Sequence, residues 1–405
     1  MNRGLIEAVK VVDRVVSDGA YLSIAIGGVT EEDKKLAAFL SYGVMDEYYT
    51  LSYRLRSMVR KMPTGKILAT LLVGLYTLDK SAIPPYAVVN ECIDIAKRVS
   101  GNKEAGFVNA VLKKAAKGTP DVQLNDKEKL ESEFNIPYWL VERLKKEYPK
   151  AWKKQLNKES ALHVRLRRGV GEEIIKDSII KRTKTGFFVE QTDEVKDAFD
   201  RGLLTYQGLY STYAVLAMGD IAGLKVLDLC AAPGGKAVYA AERGAFVTAC
   251  DLYPHRAELI HSYADRMKVR INTEVSDATV FNPEMENAFD VVIADVPCSG
   301  LGVLARRKDM ILHRDNGDIK NLARIQTKIL DNASRYLVSG GTLIYSTCTV
   351  TREENRDVVS DFLHKHKDFS RSKIDFLDFD NNGEVQFIKT DRFSDGFFVS
   401  RLIKK

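Results

Sequence analysis

A chain of 405 residues exceeds one ordinary domain, so two or three are expected. Its apolar runs fall short of the ~18 residues that cross a bilayer, and its N-terminus carries an acid early and continues as an amphipathic pattern, so neither a membrane span nor a signal peptide is expected and a cytoplasmic protein is. The net charge of +6 is uneven: residues 1–200 hold 34 Lys and Arg against 28 Asp and Glu, residues 201–405 hold 27 of each, so a polyanion such as nucleic acid would meet the first half.

Residues 1–118 read as helical throughout. Leu5, Ile6, Val9, Val12 and Val15 recur at helical spacing. Thr30-Glu-Glu-Asp33 has the pattern of a capping box opening the next helix. Ile67, Leu68, Leu71, Leu72 and Leu75 form another stripe, Pro84-Pro85 opens a helix through Val88, Cys92 and Ile95, and Phe107, Val108, Val111 and Leu112 form the last. The breaker Lys117-Gly-Thr-Pro120 closes an all-α domain, 1–120. Two more helical patterns follow, one opened by Ile136-Pro-Tyr-Trp-Leu140. The pattern then turns strand-like at 163–167 and 186–189, so 121–215 reads as a connecting α+β segment. From 216 to 405 strands and helices alternate, with strands expected at 225–229, 245–250, 272–275, 291–296 and 342–346. Helices fall between them, and late strands at 376–379 and 396–402 pair antiparallel. A βαβ series calls for a parallel sheet covered by helices on both faces.

The chemistry gathers at strand ends, where doubly wound sheets bind their ligands. Asp228-Leu-Cys-Ala-Ala-Pro-Gly-Gly-Lys236 follows a strand and opens a helix. Its small residues let backbone approach a ligand closely, and the GxGxxG of a dinucleotide fold is absent. Asp251 closes the next strand and can hold a ribose diol; Asp277 follows the third and can accept from an adenine amine. This set suits S-adenosylmethionine. Five cysteines with no CxxC pair argue against a disulfide framework or a zinc site, and no metal is expected. Cys92 and Cys250 read as small apolar core residues, and Cys230 lies in the cofactor turn. Cys298 and Cys348 instead end two apolar strands, in Asp295-Val-Pro-Cys298 and Tyr345-Ser-Thr-Cys348. A thiolate that adds to carbon 6 of a pyrimidine makes carbon 5 nucleophilic. After methyl transfer a base must remove the carbon 5 proton, so two thiols have two jobs, and Asp295 is placed to offset charge near ring nitrogen 3. Which thiol attacks stays open on this reasoning.

These motifs, with Gln326, Glu353-Glu-Asn355 and Asp395-Gly-Phe-Phe398 in the same order, resemble those of the RNA cytosine-5 methyltransferases of the RsmB/Fmu type, over almost the whole chain. Pro85-Tyr-Ala-Val-Val-Asn-Glu91 and Gly106-Phe-Val-Asn-Ala-Val-Leu112 are similar to a NusB-like RNA-binding domain. The resemblance implies an all-α NusB-like N-terminal domain followed by an α/β Rossmann-like class I methyltransferase domain that uses S-adenosyl-L-methionine. The implied reaction makes 5-methylcytosine in 16S ribosomal RNA through a covalent cysteine adduct, by a monomer. It implies Cys348 as nucleophile and Cys298 as the residue assisting release. Asp295 and Lys236 fall near the cytosine, and Cys230, Ala231, Ala232, Pro233, Gly234, Gly235, Lys236, Asp251, Asp277 and Asp295 around the cofactor. The same chemistry on tRNA and a non-catalytic RNA-binding assembly factor are the alternatives. Arg54, Arg56, Arg60 and Lys61, and Arg306, Arg307 and Lys308, are candidate phosphate contacts. The chain departs from the family pattern at Gln207-Gly208, for Gln-Asp, and at Val164-Arg-Leu166, for Arg-Val-Asn. Asp391-Arg-Phe-Ser-Asp395 lacks the family's proline.

Overall fold

The computed structural model describes residues 3–118, 122–157, 159–304 and 308–405, with Lys308 by its backbone alone. Thr119, Pro120, Arg306 and Arg307 lie outside the described residues, as does the side chain of Lys308. The chain folds as two compact units: residues up to 150 with the short segment 308–314, and 151–304 with 315–405.

The first unit is all helical. Helices α1 (Arg3–Asp18), α2 (Leu22–Gly27), α3 (Glu31–Asp46), α4 (Tyr48–Met58), α5 (Gly65–Lys80), α6 (Pro85–Ser100) and α7 (Asn102–Ala116) surround one core. The expected stripe on α1 is the buried one, and α5 is buried along most of its length, as its uniformly apolar sequence requires. Thr30 precedes α3 but makes no capping bond to its backbone; its hydroxyl turns to the Asp33 carboxylate at 3.2 Å, so the expected capping box does not form. The box forms instead at Asn125, which accepts from Lys127 and Glu128 N–H and opens α8 (Asp126–Phe134). Helices α8 and α9 (Tyr138–Glu147) belong to this unit rather than to a connecting segment. Left-handed Asn135 between them donates to Met45 O at 2.6 Å and accepts from Tyr49 N–H at 3.1 Å. Segment 308–314 joins the same unit through Asp309, which accepts from Leu22 N–H at 2.8 Å.

The second unit opens with α10 (Trp152–Gln155) and a small antiparallel sheet of β1 (Leu162–Leu166), β2 (Ile179–Arg182), β3 (Phe187–Val189) and β4 (Leu204–Tyr206), ordered β2-β3-β1-β4, with α11 (Asp193–Asp200) packed beside it. After α12 (Leu209–Leu216) the main sheet begins. Its elements are β5 (Lys225–Asp228), α13 (Gly235–Glu242), β6 (Phe246–Asp251), α14 (Pro254–Met267), β7 (Asn272–Val275), β8 (Phe289–Asp295), α15 (Asn316–Tyr336), β9 (Leu337–Thr347), α16 (Arg356–Lys365), β10 (Phe369–Arg371), β11 (Glu384–Phe387) and β12 (Phe397–Lys404). The order is β10-β12-β9-β8-β5-β6-β7, with β11 on β12; β9, β8, β5, β6 and β7 run parallel and β12 enters antiparallel. The chain moves outward from β5 through β6 to β7, then returns to the other side of β5 as β8. The switch point of the fold therefore lies between the carboxyl ends of β5 and β8, where doubly wound sheets bind ligands.

No strand forms at 376–379. The Asn381 side chain accepts from Ile374 N–H and donates to Ile374 O, closing a turn, and Phe376 packs on Tyr213. The antiparallel partners of β12 are β9, β10 and β11, with Phe387 of β11 opposite Phe397.

Candidate active site

Register places the polar groups of three strand ends on one face. Asp228 pairs with Ile293, so it shares a face with Asp295 two residues on, and Asp295 pairs with Ser346. After β5 the chain turns at Cys230–Gly235 into α13. Gly234 has φ +111°, and a Cβ there would meet Ile260 Cα at 3.3 Å, so only glycine fits. Asp251, buried at the end of β6, accepts from Ala232 N–H at 3.2 Å and pairs with Arg256 at 3.4 Å. Asp228 is 1% exposed, and neither carboxylate oxygen makes a hydrogen bond of normal geometry. Burial pushes its pKa up to about 7; the Lys236 ammonium opposes the rise and Asp295 adds to it. Asp277 is exposed after β7 and accepts from Thr279 N–H and hydroxyl at 2.9 and 2.7 Å.

The two thiols meet. Cys298 Sγ lies 3.3 Å from Cys348 Sγ, although fifty residues separate them in sequence. Lys236 Nζ donates to Asp295 Oδ2 at 2.5 Å, and Ser346 Oγ donates to Asp295 Oδ1 at 2.6 Å. Burial works against the Lys236 ammonium, but Asp295 outweighs it and Asp228 helps, so Lys236 stays above the usual lysine range. The charges around the two sulfurs differ. The hydrogen bond from Cys298 holds Cys348 below the ordinary thiol value, against burial and Asp295, and Lys236 adds to the lowering. The same bond, then burial, with Glu354 nearby, pushes Cys298 well above it. Of the two, Cys348 is therefore the thiol that gives up its proton more readily, and the thiolate is the reactive form of a thiol. Cys92 and Cys250 are buried and pushed up to about 12 by burial, as core residues are. Burial, aided by Asp228, raises Cys230 well above the usual range.

A second layer, which sequence reasoning missed, fixes the two cysteine loops to each other. Buried Glu354 accepts from Ser299 N–H at 2.7 Å, Ser299 Oγ at 2.5 Å, Thr351 Oγ1 at 2.7 Å and Gln326 Nε2 at 3.1 Å. Gln326 also donates to Pro297 O at 2.9 Å, and Tyr345 Oη donates to Glu354 O at 2.5 Å. Beside it, Gly302 N–H donates to Cys348 O at 3.0 Å and Gly396 N–H to Gly302 O at 2.8 Å; a Cβ on Gly302 would lie 2.1 Å from Gly396 O. The signal for this layer was present only as matched residues, Gln326 and Glu353-Glu-Asn355, without a role.

The basic clusters fare differently. Arg54 is buried and bonded to Asp79, so it is a structural residue rather than a phosphate contact; Arg56, Arg60 and Lys61 are exposed, and Arg56 bonds Glu128 at 2.7 Å. At the departures from the family pattern, buried Arg165 pairs with Glu242 and donates to Gln207 Oε1 at 3.1 Å, and Gln207 lines Gly235 of the turn. Among the described residues no group of three or more His, Cys, Asp or Glu is placed to hold a metal ion, and no helix is long and apolar enough to cross a membrane.

Comparison with known proteins agrees with this architecture. The NusB family model matches residues 6–117, and the model of the 16S rRNA methyltransferase RsmB/F matches residues 216–403. A Bacillus subtilis protein named probable ribosomal RNA small subunit methyltransferase B is 30% identical over 420 residues, 93% of this chain and 92% of its own. This chain belongs to the RsmB/F methyltransferase family. Another relative, ribosomal RNA small subunit methyltransferase B of Photorhabdus laumondii, is 29% identical over 98% of this chain and 97% of its own. Among solved structures, that of PH0851 shares the fold over 100% of this chain and 99% of its own at a TM-score of 0.84 and 20% identity. A methyltransferase homolog from Pyrococcus horikoshii does so over 70% of this chain and all of its own, at 0.59 and 22%. The expected NusB-like helical unit and Rossmann-like methyltransferase unit of an RsmB/F protein are thus both present.

Proposed function

We propose that this chain transfers a methyl group from S-adenosyl-L-methionine to carbon 5 of a cytosine in 16S ribosomal RNA, through a covalent cysteine–cytosine adduct. The observation that carries the reading is the thiol pair 3.3 Å apart at the switch-point edge, with Lys236 beside Cys348 and Glu354 beside Cys298. The relatives' names supply the RNA.

The residues suit the cofactor. The 230–235 turn admits close backbone approach at Gly234, Asp228 has two buried oxygens without a hydrogen bond of normal geometry, and Asp251 stands beside Ala232 N–H. Asp277 and Asp295 complete the set. When bound, S-adenosylmethionine supplies an electrophilic methyl group. The chain's own residues do the rest. The Cys348 thiolate adds to carbon 6, and the ring gains nucleophilic character at carbon 5. The Lys236 ammonium, with Asp295, offsets the charge that builds on the ring. Once Cys348 carries the adduct, its share in raising Cys298 is gone and burial and Glu354 remain; Cys298 gives its own proton to water and, as thiolate, takes the carbon 5 proton. The C–H pair re-forms the 5,6 double bond, and the carbon 6–sulfur pair returns to Cys348. Paired cytosine hides carbon 6, so the target is unpaired or extruded. Arg56, Arg60 and Lys61 hold RNA phosphates, with the part of the 121–215 region that belongs to the second unit adding RNA contacts.

The test is methyl transfer from labelled S-adenosylmethionine to naked 16S RNA by wild type, Cys348→Ala and Cys298→Ala. Cys348→Ala should give neither product nor adduct, and Cys298→Ala a stalled protein–RNA adduct. An adduct from Cys348→Ala alone would reverse the two roles. Transfer to tRNA but not 16S RNA would overturn the substrate.

A further inference from the structure

We propose that a cavity of about 520 Å³ in the catalytic unit is a subsite for an unpaired nucleotide flanking the target base; the flanking position rests on the RNA methyltransferase reading above. Lys181 and Lys184 line it from the end of β2, Phe188 from β3, Tyr210 and Tyr213 from α12, and Phe393 from the loop before β12.

The rings are held in place by other rings. Phe393 meets buried Phe188 edge-on at 5.0 Å, and Phe188 meets His163 at 4.9 Å. Tyr210 stacks on Phe387 at 4.1 Å and 16°. Fixed aromatic surfaces accept any base by stacking, whereas an apolar ligand would have no use for the cations beside them. Lys181 Nζ lies 4.9 Å from the centre of the Phe393 ring, with no carboxylate partner among the described residues. Lys184 donates to Phe376 O at 2.8 Å and pairs with Asp378 at 2.7 Å; Asp378 is 85% exposed, and a surface pair of that kind yields readily to a phosphate while the bond to Phe376 O holds the ammonium in place. The acid at the rim is already engaged: Asp391 accepts from Phe393 N–H at 2.8 Å and Ser394 Oγ at 2.9 Å. Cations over aromatic rings match a nucleotide, phosphate and base together.

The cavity is also linked to the thiol site through packed and bonded residues. Phe387, under Tyr210, pairs with Phe397, whose ring lies 5.8 Å from Lys236 Nζ. Ser394 stands two residues before Gly396, which is bonded to Gly302 and through it to the Cys348 carbonyl. Two residues therefore stand between the cavity wall and the groups that face the target base on each path: Phe387 and Phe397 on one, Gly396 and Gly302 on the other.

Two readouts test it. In methylation of 16S RNA, Phe393→Ala and Lys181→Ala should each raise KM for RNA about tenfold while kcat stays within about twofold. Lys181→Ala should also flatten the salt dependence. Separately, a single-stranded RNA dodecamer carrying 4-thiouridine should photo-crosslink to the peptides that hold Tyr210 or Phe393. Unchanged KM in both variants, or crosslinks confined to other peptides, would overturn the subsite whatever the enzyme's substrate. Crosslinking here without methyl transfer by wild type would retain an RNA-binding cavity and remove the methyltransferase reading instead.

Discussion

Asp228→Asn should change how stability depends on pH. The carboxyl is buried, only the Cys230 backbone N–H lies close enough to favour its charged form as a donor, and its pKa stands at about 7 against an ordinary 3.8. The unfolded chain ionises near the ordinary value, so between those two pKa values the native state binds more protons than the unfolded one. Stability then falls as pH rises through that window, and the full penalty of about 4 kcal/mol is present above pH 7. From pH 5 to pH 8 the loss from this one group comes to roughly 2–3 kcal/mol. Asn cannot ionise, so Asp228→Asn should lack that loss, whatever constant offset its amide adds. Urea unfolding of both proteins at half-unit pH steps, followed by circular dichroism, measures the difference in slope. Parallel curves from pH 5 to pH 8 would refute the argument, because they would mean that Asp228 stays ionised in the fold or has found a partner.

Three further outcomes are expected. Lys236→Gln removes the cation that helps lower Cys348, so alkylation of the Cys348 peptide by iodoacetamide should shift to higher pH; an unmoved profile would show that Lys236 does not tune this thiol. Glu354→Gln takes the charge from a carboxylate with five donors, and urea unfolding should register a loss of about 2–4 kcal/mol; a loss below about 1 kcal/mol would mean that the loops are held by other contacts. Diamide should join Cys298 to Cys348, whose sulfurs are 3.3 Å apart, seen as one linked peptide pair by mass spectrometry and reversed by dithiothreitol. If both thiols stay open to alkylation after diamide, their closeness is not what the structure describes.

Much of this architecture was legible because it is written in local pattern. The α1 and α5 stripes, the β8 and β9 apolar runs and the turn at Gly234 each depend on residues within a few positions of one another. The two thiols were legible as strand ends, and their meeting follows from the register of β8 on β9. What sequence did not show depends in part on partners far along the chain and in part on local competition for the same groups. Arg54 reads as a surface cation until Asp79 and the helical core enclose it. Arg165 reads the same way until Glu242 appears beside it. Thr30 has the letters of a capping box, yet its hydroxyl prefers a carboxylate to the backbone. Phe376 looks like a strand residue, but Asn381 captures the backbone groups that a ladder would need. Glu354 is the largest omission: its donors come from α15, from the loop after β8 and from the loop after β9, so no single window of sequence contains the reason for it.

The seam between Gly302 and Gly396 carries a consequence for diversity. At 302 a methyl group would enter the space of a backbone oxygen, and at 396 it would lie 2.6 Å from Gly302 Cα. The Val350 side chain also stands in the way at 396 and could be trimmed by substitution, but the backbone atoms of the seam could not. If both codons were randomised together and survivors selected for a folded protein, the pool should return glycine at each position independently. The usual trade of a larger residue on one side for a smaller one on the other has nothing here to exchange.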